Sequence, residues 1–294
     1  MQSPVYYKSK SFLTNLLIQS FLIIISLSCI LPLIWLFASS LKTQQTIFSD
    51  MSIFPKNPHW ENYYIAWTKG GFSKYFFNSL LYTVVVVTGI VFTTSLAAYA
   101  ISRFRMRGKN VVFFIFLAAM MIPIPGGFVA LYVLLNKMGF LNPHTGFPFL
   151  DGMIIRMGYI LPLINQGLSL GIYLLKTFFD KMPSDLEDSA RIDGCSRMGI
   201  YWHIALPLAK PAIAVIVIFN TLYVWNEYLL AMLILTGKNS MPLMRALMVF
   251  QGTHITQYHL LMAGMTITVI PILVMYLLLQ KHIVAGITAG AVKG

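Results

Sequence analysis

Six runs of mainly apolar residues, roughly 12–41, 76–101, 111–135, 153–176, 209–235 and 260–280, limit what this chain can fold into more than anything else in it. A helix needs about 20 residues to cross about 30 Å of hydrocarbon at about 1.5 Å per residue. Inside a bilayer the backbone must satisfy its own hydrogen bonds, so helices are the natural reading of such runs. Composition agrees. Asp, Glu, Lys and Arg make up 10% of the 294 residues and hydrophobic residues 57%, whereas soluble domains are about 25% charged. An all-α integral membrane protein with six transmembrane helices is expected. The first run follows Lys8 and Lys10 and ends at the small residues Ala38, Ser39 and Ser40, which makes it the one candidate for a signal peptide. It is about twice the roughly 7–15 residues of a signal core, so it reads as a retained helix.

Charge sets the expected orientation. Eight basic residues (Lys42, Lys56, Lys69, Lys74, Lys137, Arg156, Lys238 and Arg245) fall outside if the N-terminus is inside, and the other thirteen fall inside. Residues 102–110 alone carry Arg103, Arg105, Arg107 and Lys109 with no acid. The positive-inside rule then puts both termini in the cytoplasm. The same rule, with attraction to anionic lipid, explains much of the net charge of +12 without nucleic acid. The outer segment 42–75 holds Trp60, Tyr63, Tyr64 and Trp67, a density that suits the membrane interface.

The inner segment 177–208 carries five of the nine acids: Asp180, Asp185, Glu187, Asp188 and Asp193. Pro183 ends the incoming helix. Ser184 and Glu187 have the spacing of a capping box, and Asp185, Glu187 and Asp188 suit the positive end of a helix dipole. Gly194 supplies a left-handed residue to end that helix, Ser196 caps a second, and Leu206-Pro207 stops it. Two short helices at a glycine corner are expected, with Leu186, Ala190, Met198 and Trp202 as apolar contacts. A passive connector is the plain alternative, and a DNA-binding helix-turn-helix is a poor one on so short a membrane tether.

The spacing is more specific than the composition. Asp188-Ser189-Ala190 is followed after three residues by Gly194, and after nine more by Ile204-Ala205-Leu206-Pro207. This resembles the signature Glu-Ala-Ala, three residues, Gly, nine residues, Ile-x-Leu-Pro of the membrane subunits of binding-protein-dependent ABC importers. Asp188 stands for the Glu and Ser189 for the first Ala, with Glu187 just before them. Further likeness lies in Asn57–Tyr63, Asn78-Ser79-Leu80, Met121-Ile122-Pro123, Leu131-Tyr132, Asn136–Gly139, Trp225-Asn226-Glu227 and the ending Ala285–Gly294. These are similar to maltose-type carbohydrate permeases, in the shorter of their two membrane subunits.

The resemblance implies a type I ABC importer permease fold. Residues 1–75 would form an N-terminal helix and outer segment, 76–280 a five-helix permease core, and 281–294 a cytoplasmic tail. It implies a sugar, with an oligosaccharide the expected kind, as substrate in a bacterial or archaeal cytoplasmic membrane. The implied partners are a second permease, two ATPase subunits and an external solute-binding protein. Residues 184–207 would dock into an ATPase cleft, through Glu187, Asp188, Ser189, Ala190, Gly194, Ile204, Leu206 and Pro207.

The chain lacks the G-x-x-x-x-G-K-[ST] loop that cradles nucleotide phosphates. It is therefore expected to be no enzyme and to bind no cofactor, with ATP and Mg on the partner ATPase. Its six His lack metal-site spacing, and Cys29 and Cys195, in an apolar run and a charged loop, do not suggest a disulfide. An intramembrane enzyme finds no catalytic cluster to rest on.

Within the spans, Asn165, Gln166, Asn220, Tyr223, Asn226 and Glu227 are candidates for a substrate path, or equally for interhelical hydrogen bonds. An intramembrane acid costs about 3 kcal/mol by insertion scales, so Glu227 should face protein or a watery cavity. A stand-alone secondary transporter coupled through Glu227 is the alternative functional reading. Pro123, Pro125, Gly126 and Gly127 are expected to break the third span.

Overall fold

In a computed structural model the chain is described over residues 5–50, 52–68, 70–122, 127–252 and 256–291. The described residues are helical with no strand beyond one isolated bridge between Gln251 and Thr256. In chain order the helices are α1 (Val5–Ser40), α2 (Thr46–Ser49), α3 (Glu61–Thr68), α4 (Phe72–Arg103), α5 (Lys109–Met120), α6 (Phe128–Lys137) and α7 (Pro148–Lys181). There follow α8 (Asp185–Ile192), α9 (Arg197–Ile200), a π-helical turn (Tyr201–Ala205), α10 (Leu206–Leu208), α11 (Lys210–Trp225), α12 (Leu229–Ile234), α13 (Leu243–Ala246), a 3₁₀ turn (Leu247–Phe250) and α14 (Tyr258–Ala291).

Four helical stretches are long and apolar enough to span a bilayer: Thr14–Ser40, Phe72–Arg103, Pro148–Lys181 and Tyr258–Leu278. The runs expected as the third and fifth spans fold as shorter helices, none long enough to cross by itself, so among the described residues the expected count of six is matched by four long spans. The run 111–135 becomes α5 and α6; Gly127 lies just before α6, and the expected breakers Pro123, Pro125 and Gly126 lie outside the described residues, as do 292–294 of the ending. The run 209–235 becomes α11 and α12 with a break at Asn226–Tyr228. Sixteen residues of α11 reach only about 24 Å, short of a crossing by themselves.

The chain divides into two compact units. The first comprises Met1–Gly71 and Leu247–Val269. In it, the end of α1 is fastened to the segment that follows. The buried Asn62 amide donates to the carbonyls of Ser40 (2.8 Å) and Lys42 (2.9 Å), and Lys42 Nζ donates to those of Asp50 and Ser52, each at 2.7 Å. Gln44 Nε2 reaches the Thr256 carbonyl at 2.7 Å. Along α1 the side chains of Leu17, Phe21 and Ile24 are exposed, as a lipid-facing helix requires.

The second unit comprises Phe72–Ala246 and Ile270–Gly294. Its centre is the packing of α4 on α7, where Tyr82, Val86 and Ile90 are buried together with Tyr159, Ile160 and Leu163. The backbones come close at Gly171. A Cβ there would sit 2.5 Å from Thr94 Cγ2, so only glycine fits that crossing. At one end of α4, Asn78 Nδ2 donates to the carbonyls of Asn239 and Met241 at 3.0 Å each, and Tyr82 Oη to that of Ser240 at 2.7 Å. The loop before α13 is thereby pinned to α4.

Candidate functional site

Two places in the second unit gather the residues singled out from the sequence. The first is the helical pair 184–208. Gly194 has φ +82°, and the Cys195 amide donates back to Ala190 at 2.9 Å, closing α8 with the left-handed turn expected of that glycine. Ser196 Oγ accepts from the Gly199 amide at 3.1 Å and caps α9. One expectation needs correction. Ser184 makes no capping bond from its side chain to the helix, so the capping box does not form. Leu206-Pro207 does end the second helix, as expected. The chain continues through the π turn to Leu208 and bends by 71° before Lys210. Pro207 lies in the last turn of that run, and Pro211 opens α11, where no amide is needed.

The missing capping box has a physical cause. Glu187, only 4% exposed, is drawn away from its own helix end by two arginines. Arg103 Nε stands 3.1 Å from Oε1 as an ion pair without an aligned hydrogen bond, and Arg191 Nη2 donates to Oε2 at 3.3 Å. Arg103 Nη2 also donates to the carbonyls of Phe179 and Met182, which closes the end of α7. The neighbouring Asp188 is placed differently: its side chain is 60% exposed and meets Arg191 Nη1 at 3.0 Å. The two adjacent carboxylates share Arg191, yet one is buried against the spans and the other is exposed.

Three further contacts fix the pair. Arg197 lies 5.2 Å over the Phe104 ring, Tyr201 Oη is 2.7 Å from Ser95 Oγ, and the Tyr201 and Tyr99 rings are 5.3 Å apart. Ala190 is buried, whereas Leu186, Ile192, Met198 and Trp202 are exposed. Ser189 and Pro207 are exposed too, and Ile204 and Leu206 half-buried. The expected apolar contacts of Leu186, Met198 and Trp202 thus leave these side chains largely uncovered. Arg103, Tyr201, Ser95 and Phe104 carried no signal in the sequence beyond charge or apolarity, because their partners lie far along the chain.

The second place is a cavity of about 460 Å³ between α5, α7 and α11. Asn165, Gln166, Asn220 and Tyr223 all line it, together with Ser169 and the flat ring of Phe116. Tyr223 Oη donates to Gln166 Oε1 across the two helices. Asn220 donates its amide to its own helix at Ile216 (2.8 Å). Polar edges beside aromatic faces are what a sugar ring requires. Asn226 and Glu227 are not among the lining residues. Asn226 bonds back to Leu222 at 2.8 Å.

Glu227 sits at the break between α11 and α12 and serves as a cap. Its carboxylate accepts from the amides of Leu230 (2.6 Å) and Ala231 (3.0 Å) and from Tyr159 Oη (3.0 Å). At the other end of α12, Arg245 Nη1 donates to the carbonyls of Ala231 and Leu235, and burial lowers its pKa from the ordinary value. With its acceptors engaged by neutral donors, Glu227 does not present the open carboxylate that ion coupling needs. Among the described residues no cluster of His, Cys, Asp or Glu could hold a metal.

Residues 89–289 match the family described as binding-protein-dependent transport system inner membrane component. A probable starch degradation products transport system permease protein of Thermoanaerobacterium thermosulfurigenes is 33% identical over 92% of this chain and 94% of its own length. A probable ABC transporter permease protein of Bacillus subtilis is 31% identical over 93% and 87%. Among solved structures, a chain from a bacterial ABC transporter involved in import of the acidic polysaccharide alginate superposes with a TM-score of 0.78. It is 22% identical and covers 96% of this chain and 98% of its own, which shows a shared fold.

Proposed function

The chain belongs to the family of binding-protein-dependent transport system inner membrane components, and from that premise we propose that it moves an oligosaccharide through the membrane in an ATP-driven importer. It is a membrane-embedded transport subunit, not an enzyme, with the all-α fold of type I ABC importer permeases. The oligosaccharide reading is supported by the relative named for starch degradation products and by the polar and aromatic lining of the α5–α7–α11 cavity. In this reading a second permease completes the pathway, two ATPase subunits bind ATP and Mg, and an external binding protein delivers the sugar. Both termini and the pair 184–208 face the cytoplasm, as the basic loop 102–110 suggests.

One observation carries the coupling role of the pair. The family-like motif folds into a rigid corner that turns Asp188 and Ile192 outward while Glu187 and Ala190 hold it to the spans. ATP is hydrolysed in water and the sugar moves in the bilayer, so a stiff element at the boundary must carry motion between them. A flexible connector would need neither the buried ion pair nor the positive-φ glycine.

The test is reconstitution. This chain, co-expressed with its neighbouring permease and ATPase, should bring both down on purification. In liposomes with the binding protein it should take up labelled oligosaccharide only when ATP is supplied. A panel of neutral and acidic oligosaccharides identifies the substrate. Uptake by this chain alone, driven by an ion gradient, would overturn the reading.

A further inference from the structure

Arg103 does more than mark a cytoplasmic end. Its single guanidinium joins the last residue of α4 to two successive stretches some 76 or more residues further along the chain: the two carbonyls that end α7, and Glu187 of α8. The Arg103 and Glu187 side chains are only 15% and 5% exposed, so their attraction is weakly screened by water. Each half of the contact needs the other. Without Glu187 a guanidinium is left buried with part of its charge unmet, and without Arg103 a carboxylate loses one of its two cations. The remaining contacts of the pair, Arg197 over Phe104 and Tyr201 on Ser95, also land on the α4 side. Among these contacts, Arg103 is the one that brings in α7, the partner α4 packs on most closely.

We propose that Arg103 and Glu187 form the strut that makes α4, α7 and the coupling helix α8 move as one body, so that they are positioning residues for coupling. The proposal rests on the coupling role given above to residues 184–208. It divides the labour of adjacent acids. Asp188, facing outward, meets the ATPase, and Glu187, facing inward, transmits what the ATPase does. Loss of Asp188 should weaken docking, whereas loss of Glu187 should leave docking intact and spoil transmission.

The experiment uses the complete transporter in liposomes, with ATPase content, ATP hydrolysis and uptake measured on the same preparation. Glu187→Gln should keep the ATPase bound and hydrolysing ATP while sugar taken up per ATP falls by about tenfold, within the usual range of coupling between sites. Arg103→Met should do the same, and the double variant should be no worse than either single, because the two act through each other. A nitroxide on Cys195, which is exposed, in a Cys29→Ala background should become more mobile in both variants. A merely structural pair would alter yield or thermal stability and leave uptake per ATP unchanged. If Glu187→Gln inserts poorly, Glu187→Asp carries the test, with a smaller fall in the same ratio. Wild-type uptake per ATP in Glu187→Gln, or effects that simply add in the double variant, would overturn the strut. Failure of the unsubstituted chain to retain any ATPase would instead overturn the coupling reading.

Discussion

Glu187 and Glu227 are both nearly buried, at 4% and 8% exposure, and both lie where the helical path changes direction, yet they are satisfied in opposite ways. Glu187 faces two arginines, one from another helix. Glu227 faces two amides three and four residues ahead and one phenol. The first arrangement ties distant segments together and fails if either partner loses its charge. The second is a helix cap made mostly within one turn, for which a neutral acceptor is a partial substitute. A buried carboxylate in a transporter is therefore no sign of ion coupling by itself. What its oxygens touch decides whether it transmits, titrates or caps.

The sharpest break of this contrast is its sidedness. A periplasm-active reporter fused within 103–109 or after Gly294 should be silent and one within 56–70 active, an all-or-none difference. The reverse would put the 184–208 pair on the wrong side for an ATPase. Next in size are the variants of the corner itself. Valine resists the +82° φ of Gly194, and Asp188→Lys reverses an outward charge. Each should insert normally yet lower ATP-dependent uptake by about a hundredfold, in line with the cost of lost interfacial charge contacts. Asp188→Glu should be tolerated.

Gly171→Leu tests the packing that both regions share. Its side chain would collide with Thr94, and overpacking of this kind costs about 1–3 kcal/mol. Thermal stability in detergent should drop while uptake per folded transporter changes little. Tyr223→Phe removes the donor to Gln166 in the cavity and should raise the apparent KM for sugar only a few-fold, as expected for about 1 kcal/mol of hydrogen bonding. Smallest of all on transport is Glu227→Gln. It should lower thermal stability yet leave uptake per ATP and its pH profile unchanged, and collapse of the proton gradient at constant ATP should not matter. A pH-shifted or abolished uptake in that variant would restore Glu227 as a coupling group.

The parts of the molecule legible in the sequence are those encoded within a few residues. The Gly194 corner and the Ser196 cap follow from local offsets, and both form. Ser184 and Glu187 have equally good local spacing, but a buried guanidinium from α4 outcompetes an exposed amide for the carboxylate. No short-range pattern reveals that. The Leu206-Pro207 stop is local as well, and the helical run ends one residue beyond it, at Leu208. The break at Asn226–Tyr228 contains neither Pro nor Gly, so periodicity ran through it. In the cavity, residue type picked out six polar candidates. Only three-dimensional packing separates the four that line it from Asn226, which bonds back to Leu222, and Glu227, which caps α12 and meets Tyr159.

The most direct test of the central claim places a photo-crosslinking amino acid at position 188 in the assembled, transporting complex, with position 227 as its counterpart. Illumination should join position 188 to the ATPase subunit in high yield and give no such product from position 227. An active transporter whose position 188 never reaches the ATPase would contradict the coupling role of this helical pair.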